Sequence, residues 1–372
     1  MPDHDVAIVG GGPVGLLLAC LLAHAGIDVA VYEKRSMGDA RSRAIGIHPP
    51  GRAALDAVGL GEEARRQALE LDGGDVLCSG EVLASVSFTS RQQVLILPQH
   101  RTHALLVERL AHVQPDAVHL GQVVRDVRDE GEVVRLSLEA DGVGREVTAS
   151  VVVAADGVRS GVRRLLGVRW RARRGSGSYA MADVADVEPS TRVRLYCEPG
   201  GIVESFPLPD GRRRWVVADP LDRLHDGAAF AREIQDRTGI RPGEATALEP
   251  TVFRAQQHRA SRAAVGRIVL LGDALHETSP IGGQGMNLGW NAARRLAAAI
   301  ERSLRSGTPD FGAYERSALR SAARAQRRSH FYMTMGRPVD GLSLGARNAV
   351  IRALGSPPLR RSAADLITMR GL

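Results

Sequence analysis

Lysine is almost absent from this chain: of 49 basic residues only Lys34 is a lysine, and the others are arginines. Aromatic residues are scarce too, with 3 Trp, 5 Tyr and 6 Phe. A pocket built from this composition is expected to be lined mostly by aliphatic side chains. Cysteine occurs only at Cys20, Cys78 and Cys197, an odd number far apart. That excludes a disulfide framework and a Cys-based metal site, and it suits the reduced thiols of a cytoplasmic protein. No apolar run approaches the ~20 residues a membrane span needs. The longest, 16–22, is followed closely by His24. Asp3 and Asp5 stand where a secretory signal would be basic, so no signal peptide is expected. Glycine is plentiful, at 41 residues, but has no triplet period, which excludes a collagen-like chain.

What is present is a folding composition. The 372 residues are 44% apolar and 24% charged, enough for a large core and incompatible with disorder. The net charge of +7 raises the question of a polyanionic partner. The arginines are scattered, with short clusters at 169–174, 212–214 and 316–328. No stacking aromatics are interleaved and no nucleic-acid-binding signature appears, so neither nucleic acid nor membrane is expected as a partner. Arginines serving the phosphates of a dinucleotide remain open.

The chain begins as β-α-β. Residues 6–9 form a short apolar strand, 10–15 a turn, 16–25 a buried helix ended by Gly26, and 27–32 a second strand. A helix is read at 102–112 and a hairpin at 132–140 and 146–154 about Asp141-Gly142, followed by a helix at 158–166. Short strands at 192–196, 202–206 and 214–217 are punctuated by Pro-Gly-Gly and Pro-Asp-Gly. A strand at 268–271 leads through a Gly-rich turn into a helix at 287–304, and helices at 311–328, 345–354 and 359–368 follow. There is no internal repeat.

Residues 10–15 read Gly-Gly-Gly-Pro-Val-Gly and match G-x-G-x-x-G. Gly10 permits the tight turn, Gly12 lets the backbone approach a pyrophosphate, and Gly15 lets helix and strand pack closely. Pro13 opens the helix, whose N-terminus offers free N–H groups to phosphates. Glu33, beside Lys34, ends the second strand, where an acid accepts both ribose hydroxyls and repels a 2′-phosphate. The site therefore favours FAD or NAD over NADP. A second match at 175–180 follows no strand and is rejected, so one dinucleotide is held in this manner.

Two further motifs end strands. Residues 151–160 run Val-Val-Val-Ala-Ala-Asp-Gly-Val-Arg-Ser, and 268–276 run Ile-Val-Leu-Leu-Gly-Asp-Ala-Leu-His. The second is followed at 280–289 by Pro-Ile-Gly-Gly-Gln-Gly-Met-Asn-Leu-Gly. In this order, with the first fingerprint, the chain from Val6 to about Tyr314 resembles the single-component FAD-dependent aromatic hydroxylases, the p-hydroxybenzoate hydroxylase-like monooxygenases.

The resemblance implies an α/β fold: a Rossmann-type FAD-binding domain interleaved with a mainly antiparallel sheet domain for substrate, and a helical C-terminal tail. The division it suggests is 1–75, 99–174 and 255–310 for FAD, 76–98 and 175–254 for substrate, and 311–372 for helices packed on the core. The tail is expected to be too short for the thioredoxin-like domain some members carry. Gly10, Gly12, Pro13 and Gly15 would hold the pyrophosphate of tightly bound FAD, with Glu33 and Lys34 at the adenosine ribose. Arg43 would contact the cofactor, Gln99 would reach the ribityl chain, and Asp156 is associated with FAD and nicotinamide binding. Asp273 would accept from a ribityl hydroxyl. Pro280, Gly282, Gly283, Gly285, Met286 and Asn287 would lie along the isoalloxazine. The N-terminus of the helix beginning near 287 would stabilise negative charge on the reduced flavin. Pro50, Ala53, Gly161 and Ala292 depart from the family pattern and put local loop geometry in question. Trp290 reads as core.

The implied reaction is NADPH- or NADH-driven hydroxylation, through a flavin C4a-hydroperoxide, of a fairly large aromatic or polyketide-like molecule of the kind found in antibiotic biosynthesis. Molecular oxygen is the second substrate, and NAD(P)H binds transiently. The protein must exclude water and place the reactants. Strands at 192–217 would roof the pocket, with Pro280 and Gly282 on the flavin side. His48, His100, His103 and Tyr196 are possible bases for a phenol, and none is assigned. Baeyer–Villiger oxygenation or epoxidation, oxygen-independent reduction, and a non-enzymatic role with structural FAD remain open. A flavin halogenase is disfavoured because no Trp-x-Trp-x-Ile-Pro stretch exists.

Overall fold

The computed structural model describes residues 1–36, 44–243, 249–281, 283–357 and 359–370. Arg43 and Gly282 lie outside the described residues.

The first strand, His4–Val9, is buried on both faces, as a central parallel strand must be. It pairs in parallel with Val29–Glu33 on one side and with the long strand Val143–Ala154 on the other. Ile268–Leu270 continues the parallel set beyond Val143–Ala154, and Val118–Leu120 beyond Val29–Glu33. An antiparallel edge, Ala264–Val265, and the meander Val123–Asp129 and Val134–Ala140 complete eight strands. The chain thus leaves His4–Val9 first to one side and later to the other, so a crevice opens at the strands' carboxyl ends. Those ends carry Gly10, Glu33, Ala155-Asp156 and Gly272-Asp273. All three sequence motifs therefore converge on one edge.

The first helix is Pro13–His24, begun by proline and apolar nearly all round, because it packs between the sheet and the helices Gln99–Val113 and Gly285–Ser306. Gly26 follows its end at φ +76°, as read from the sequence. The helix read at 158–166 is shorter, Gly161–Leu165. Gly157 at φ +79° cannot continue helical geometry, and the turn ends in Ser160, whose hydroxyl accepts from Arg163 N at 2.9 Å. The helix read at 287–304 starts two residues earlier, so Gly285 and Met286 lie in its first turn.

A second sheet has seven strands in the order Thr251–Ala255, Gly177–Ala185, Arg212–Ala218, Gly201–Pro207, Arg192–Glu198, Gly73–Cys78, Glu81–Ser87. All pairs are antiparallel except Arg192–Glu198 with Gly73–Cys78. One face packs on the helix Gly227–Thr238 through Val203, Trp215, Val217, Phe230 and Ile234. The rejected glycine match at 175–180 does follow a short strand, Trp170–Ala172, but it runs into the strand Gly177–Ala185 rather than a helix, so it does not form a β-turn-α fingerprint. The suggested division at 75/76 passes through Gly73–Cys78. Val94–Ile96 pairs with Gly46–Ile47 and Leu69–Leu71 rather than with this sheet.

The chain closes with the helices Gly312–Met335, Gly341–Gly355 and Leu359–Ile367. Tyr314 pins the first of these by donating its hydroxyl to Leu270 O at 2.8 Å.

Candidate active site

A cavity of about 740 Å³ runs from the glycine loop to the second face of the seven-stranded sheet. Its construction starts at the loop. A Cβ on Gly10 (φ +110°) would stand 2.5 Å from Ala155 O, and one on Gly15 2.2 Å from Gly10 O. Gly10 is therefore fixed by backbone contact with the neighbouring motif, and Gly15 by backbone contact with Gly10 itself. A Cβ on Gly12 would meet nothing within 4 Å, and Gly12 and Pro13 line the cavity. The loop thus presents an open backbone surface at a helix N-terminus, which is the cradle a pyrophosphate requires.

Glu33 is buried beside this loop. Its carboxylate accepts from Gly11 N at 2.8 Å and from Arg35 Nε at 2.8 Å. Burial opposes its ionisation, but the hydrogen bonds from Arg35 and Gly11 outweigh burial and hold its pKa below the usual range. It is an ionised acceptor at the end of the second strand. Lys34 is exposed next to it. Gln99 lines the cavity at the start of its helix, with Oε1 accepting from Ala44 N at 3.4 Å.

Asp156 lies one residue from the cavity wall, between Ala155 and Gly157. Its Oδ2 accepts from Gly161 N and Val162 N at 2.7 and 3.2 Å, which caps the short helix; among the described residues its buried Oδ1 has no partner. Asp273 faces the cavity from the turn Gly272–Ala274. Its side chain is open to the cavity, and the protein packed around the turn, helped by the charge of Glu277, pushes its pKa up to about 6. At neutral pH its carboxylate can accept a hydrogen bond from a group placed in the cavity.

Pro280, Gly283, Gly285 and Met286 line the cavity at the N-terminus of Gly285–Ser306. Among the described residues no side chain caps that end, and neither atom of the buried Gln284 amide has a partner. An uncapped helix N-terminus with an unpaired amide fits a ligand edge that carries negative charge. Asn287 uses its side chain differently. Its Oδ1 accepts from His48 N at 2.9 Å, and its Nδ2 donates to Gly46 O and Gly283 O at 2.9 and 3.1 Å. It fastens 46–48 to the helix rather than lining the cavity. Trp290 is core, fully buried, and its Nε1 donates to Pro13 O at 2.9 Å.

Of the four possible bases, only His48 lines the cavity. Burial pushes its pKa down to about 4, so it is neutral. His100 is exposed, and His103 Nε2 lies 3.1 Å from Gly11 O. Tyr196 stacks on Trp215 on the opposite face of the sheet.

The far wall is the sheet. Val193, Leu195 and Cys197, Ile202, Glu204 and Phe206, and Arg214 and Val216 alternate into the cavity. Arg214 is held by Asp183 through bonds of 2.6 and 2.8 Å. Aliphatic side chains predominate, as expected, yet Phe88, Phe206, Phe253 and Phe331 also line the cavity, a concentration of the chain's six phenylalanines. The C-terminal helices close it through Tyr332, Ile351, Leu354 and Leu366. That wall was not read from the sequence, because its residues belong to helices distant along the chain.

The model of a family described as FAD binding domain matches residues 3–329. A 12-dehydrotetracycline 5-monooxygenase/anhydrotetracycline 6-monooxygenase of Streptomyces rimosus is 30% identical over 98% of this chain and 76% of its own length. A 3-(3-hydroxy-phenyl)propionate/3-hydroxycinnamic acid hydroxylase of Comamonas testosteroni is 28% identical over 98% of this chain, which spans 64% of that relative. Among solved structures, an anhydrotetracycline hydroxylase from Streptomyces rimosus superposes with a TM-score of 0.81 at 27% identity, covering 99% of this chain and 76% of that one. A p-nitrophenol 4-monooxygenase from Pseudomonas putida shares the fold with a TM-score of 0.86 at 23% identity over 99% of both chains.

Proposed function

The chain belongs to the FAD-binding-domain family of flavin monooxygenases, the aromatic-hydroxylase type of flavoprotein, and from that premise we propose that it hydroxylates a fairly large aromatic or polyketide-like molecule at the expense of NADPH or NADH. The observation that carries the reading is one continuous cavity with two unlike ends. Its one end is built from the three flavoprotein motifs and its other from an apolar sheet face. FAD bound there supplies the redox chemistry and the activated oxygen. We assign its pyrophosphate to Gly12 and Pro13, its ribose to Glu33, its ribityl chain to Gln99 and Asp273, and its ring to 280–286. Arg43 and Lys34 remain proposed contacts, while Gly10, Gly15, Asp156 and Asn287 shape the site from behind. The division into a discontinuous FAD domain, a substrate sheet and C-terminal helices is proposed on the same basis.

The protein's own contribution is placement and dryness. With FAD bound, the helix end at Gly285 would offer its positive pole to the electron-accepting ring. The phenylalanines and aliphatic side chains offer a flat apolar bed on which a multi-ring substrate excludes water. The relatives whose names specify tetracycline intermediates support a substrate of that size. The test is to release and identify the flavin of purified protein and then screen aromatic metabolites for stimulation of NAD(P)H oxidation. Stoichiometric FAD and at least one stimulating, oxygenated aromatic are expected. Protein without FAD, or FAD protein that no aromatic stimulates, contradicts the reading.

A further inference from the structure

The wall of the cavity opposite the glycine motifs contains an acid that none of the flavoprotein motifs explains. Glu204 lies in the middle of Gly201–Pro207, and its register partners are Leu195 and Val216. Those two residues and its same-strand neighbours Ile202 and Phe206 all face the cavity with it. The carboxyl therefore stands at the centre of an apolar patch, 4% exposed. Among the described residues no hydrogen bond and no ion pair reaches it. The arginine on the same wall, Arg214, is bound to Asp183. A carboxyl buried among aliphatic side chains without a partner weakens the fold, and a leucine would pack better. An acid kept at such a place points to a ligand that supplies the missing partner.

Resting on the hydroxylase reading above, we propose that Glu204 binds the ring hydroxyl of the aromatic substrate and takes its proton. The phenol O–H bond breaks, a carboxyl O–H bond forms at Glu204, and the electron pair stays on the substrate oxygen as phenolate. The ring is thereby made more electron-rich for oxygen transfer, and no other co-reactant is needed. Burial pushes the Glu204 pKa up to about 8, near that of an activated phenol, where proton exchange between the two is most even. The titratable neighbours do not compete. Tyr179 on Gly177–Ala185 is raised by burial and further by the Glu204 charge. Cys197 on Arg192–Glu198 is raised to about 12, by burial first and with Glu204 contributing. On the helix Gly312–Met335, burial raises Tyr332 to about 12. Across the cavity, His48 is neutral, and Asp273 and Glu277 belong to the motif side.

The probe is 2-hydroxyanthraquinone, with anthraquinone as its hydroxyl-free control, titrated into FAD-loaded wild type, Glu204→Gln and Glu204→Leu. Wild type is expected to prefer the hydroxylated probe by about tenfold or more, and Glu204→Leu to lose that preference while binding anthraquinone at least as well. Bound probe should develop its phenolate absorption near pH 8 in wild type and only at higher pH in Glu204→Gln. Absence of a hydroxyl preference in wild type, or its persistence in Glu204→Leu with an unchanged phenolate transition, overturns the proposal. Retained flavin absorbance in all three proteins separates that failure from failure of the flavoprotein reading.

Discussion

Three glycines spaced within six residues do unequal work. Gly10 and Gly15 are closed against backbone, whereas Gly12 faces open space. Gly15→Ala should therefore lower the thermal midpoint and the yield of folded protein. Gly12→Ala should fold like wild type but hold FAD at least several-fold more weakly, because its methyl group occupies the surface the pyrophosphate approaches. Thermal unfolding, with and without added FAD, checks both. Asn287 joins three backbone groups on two segments, so Asn287→Ala should cost about 1–3 kcal/mol in denaturant unfolding by leaving buried groups unpaired. A loss confined to FAD affinity, with stability unchanged, would show that its role is ligand contact instead.

At the scale of elements, the C-terminal helices are a wall of the site. A Cβ on Gly355 would lie 2.5 Å from the Cβ of Ala84, so the helix Gly341–Gly355 meets the strand Glu81–Ser87 without room for a side chain. Gly355→Leu should push the helix away and admit water. Product formed per NAD(P)H should fall several-fold and hydrogen peroxide should rise, with FAD retained. Coupling equal to wild type would show that these helices do not seal the cavity. The glycine motifs, the first β-α-β unit and three of the seven strands of the second sheet were legible in the sequence because turn chemistry and apolar periodicity are local. The wall from 351 to 367 was not, since its apolar residues read equally well as packing on any core. Glu204 was passed over for the same reason: a lone acid in a short strand is ordinary until its neighbours are seen to be apolar and its carboxyl unmatched. The helix Gly227–Thr238 was also missed, although Asp226 at its N-cap and Gly239 at its end mark it.

The whole molecule carries its arginines partly as internal pins. Arg163, Arg213, Arg214 and Arg347 are each no more than 5% exposed. Arg213 and Arg214 bind Asp186 and Asp183, and Arg163 donates to Ala274 O and Val158 O. The forked guanidinium satisfies several acceptors at once, which lysine cannot. Part of the chain's basic content is thus structural rather than free surface charge. Stability should also depend on pH through buried groups. His48 and His276 are lowered by burial from 6.5 to about 4, so the stability present above pH 6.5 is lost as pH falls toward 4. Glu204 acts in the opposite sense: its pKa is raised from 4.5 to about 8, so stability present below pH 4.5 is lost as pH rises through 8. The melting temperature of Glu204→Gln minus that of wild type should therefore grow between pH 4.5 and 8. A difference constant across that range would show that Glu204 is ionised throughout in the folded protein.

The central claim is that this cavity directs oxygen from a flavin onto an aromatic ring. The most direct test is turnover of FAD-loaded protein with NADPH or NADH and hydroxylated polycyclic aromatics under isotopically labelled oxygen gas, with products read by mass and ring position by NMR. The account predicts a product carrying one labelled oxygen atom on an intact aromatic ring. Oxidation of NAD(P)H with every aromatic returned unlabelled, or with label inserted into an opened or expanded ring, would contradict it.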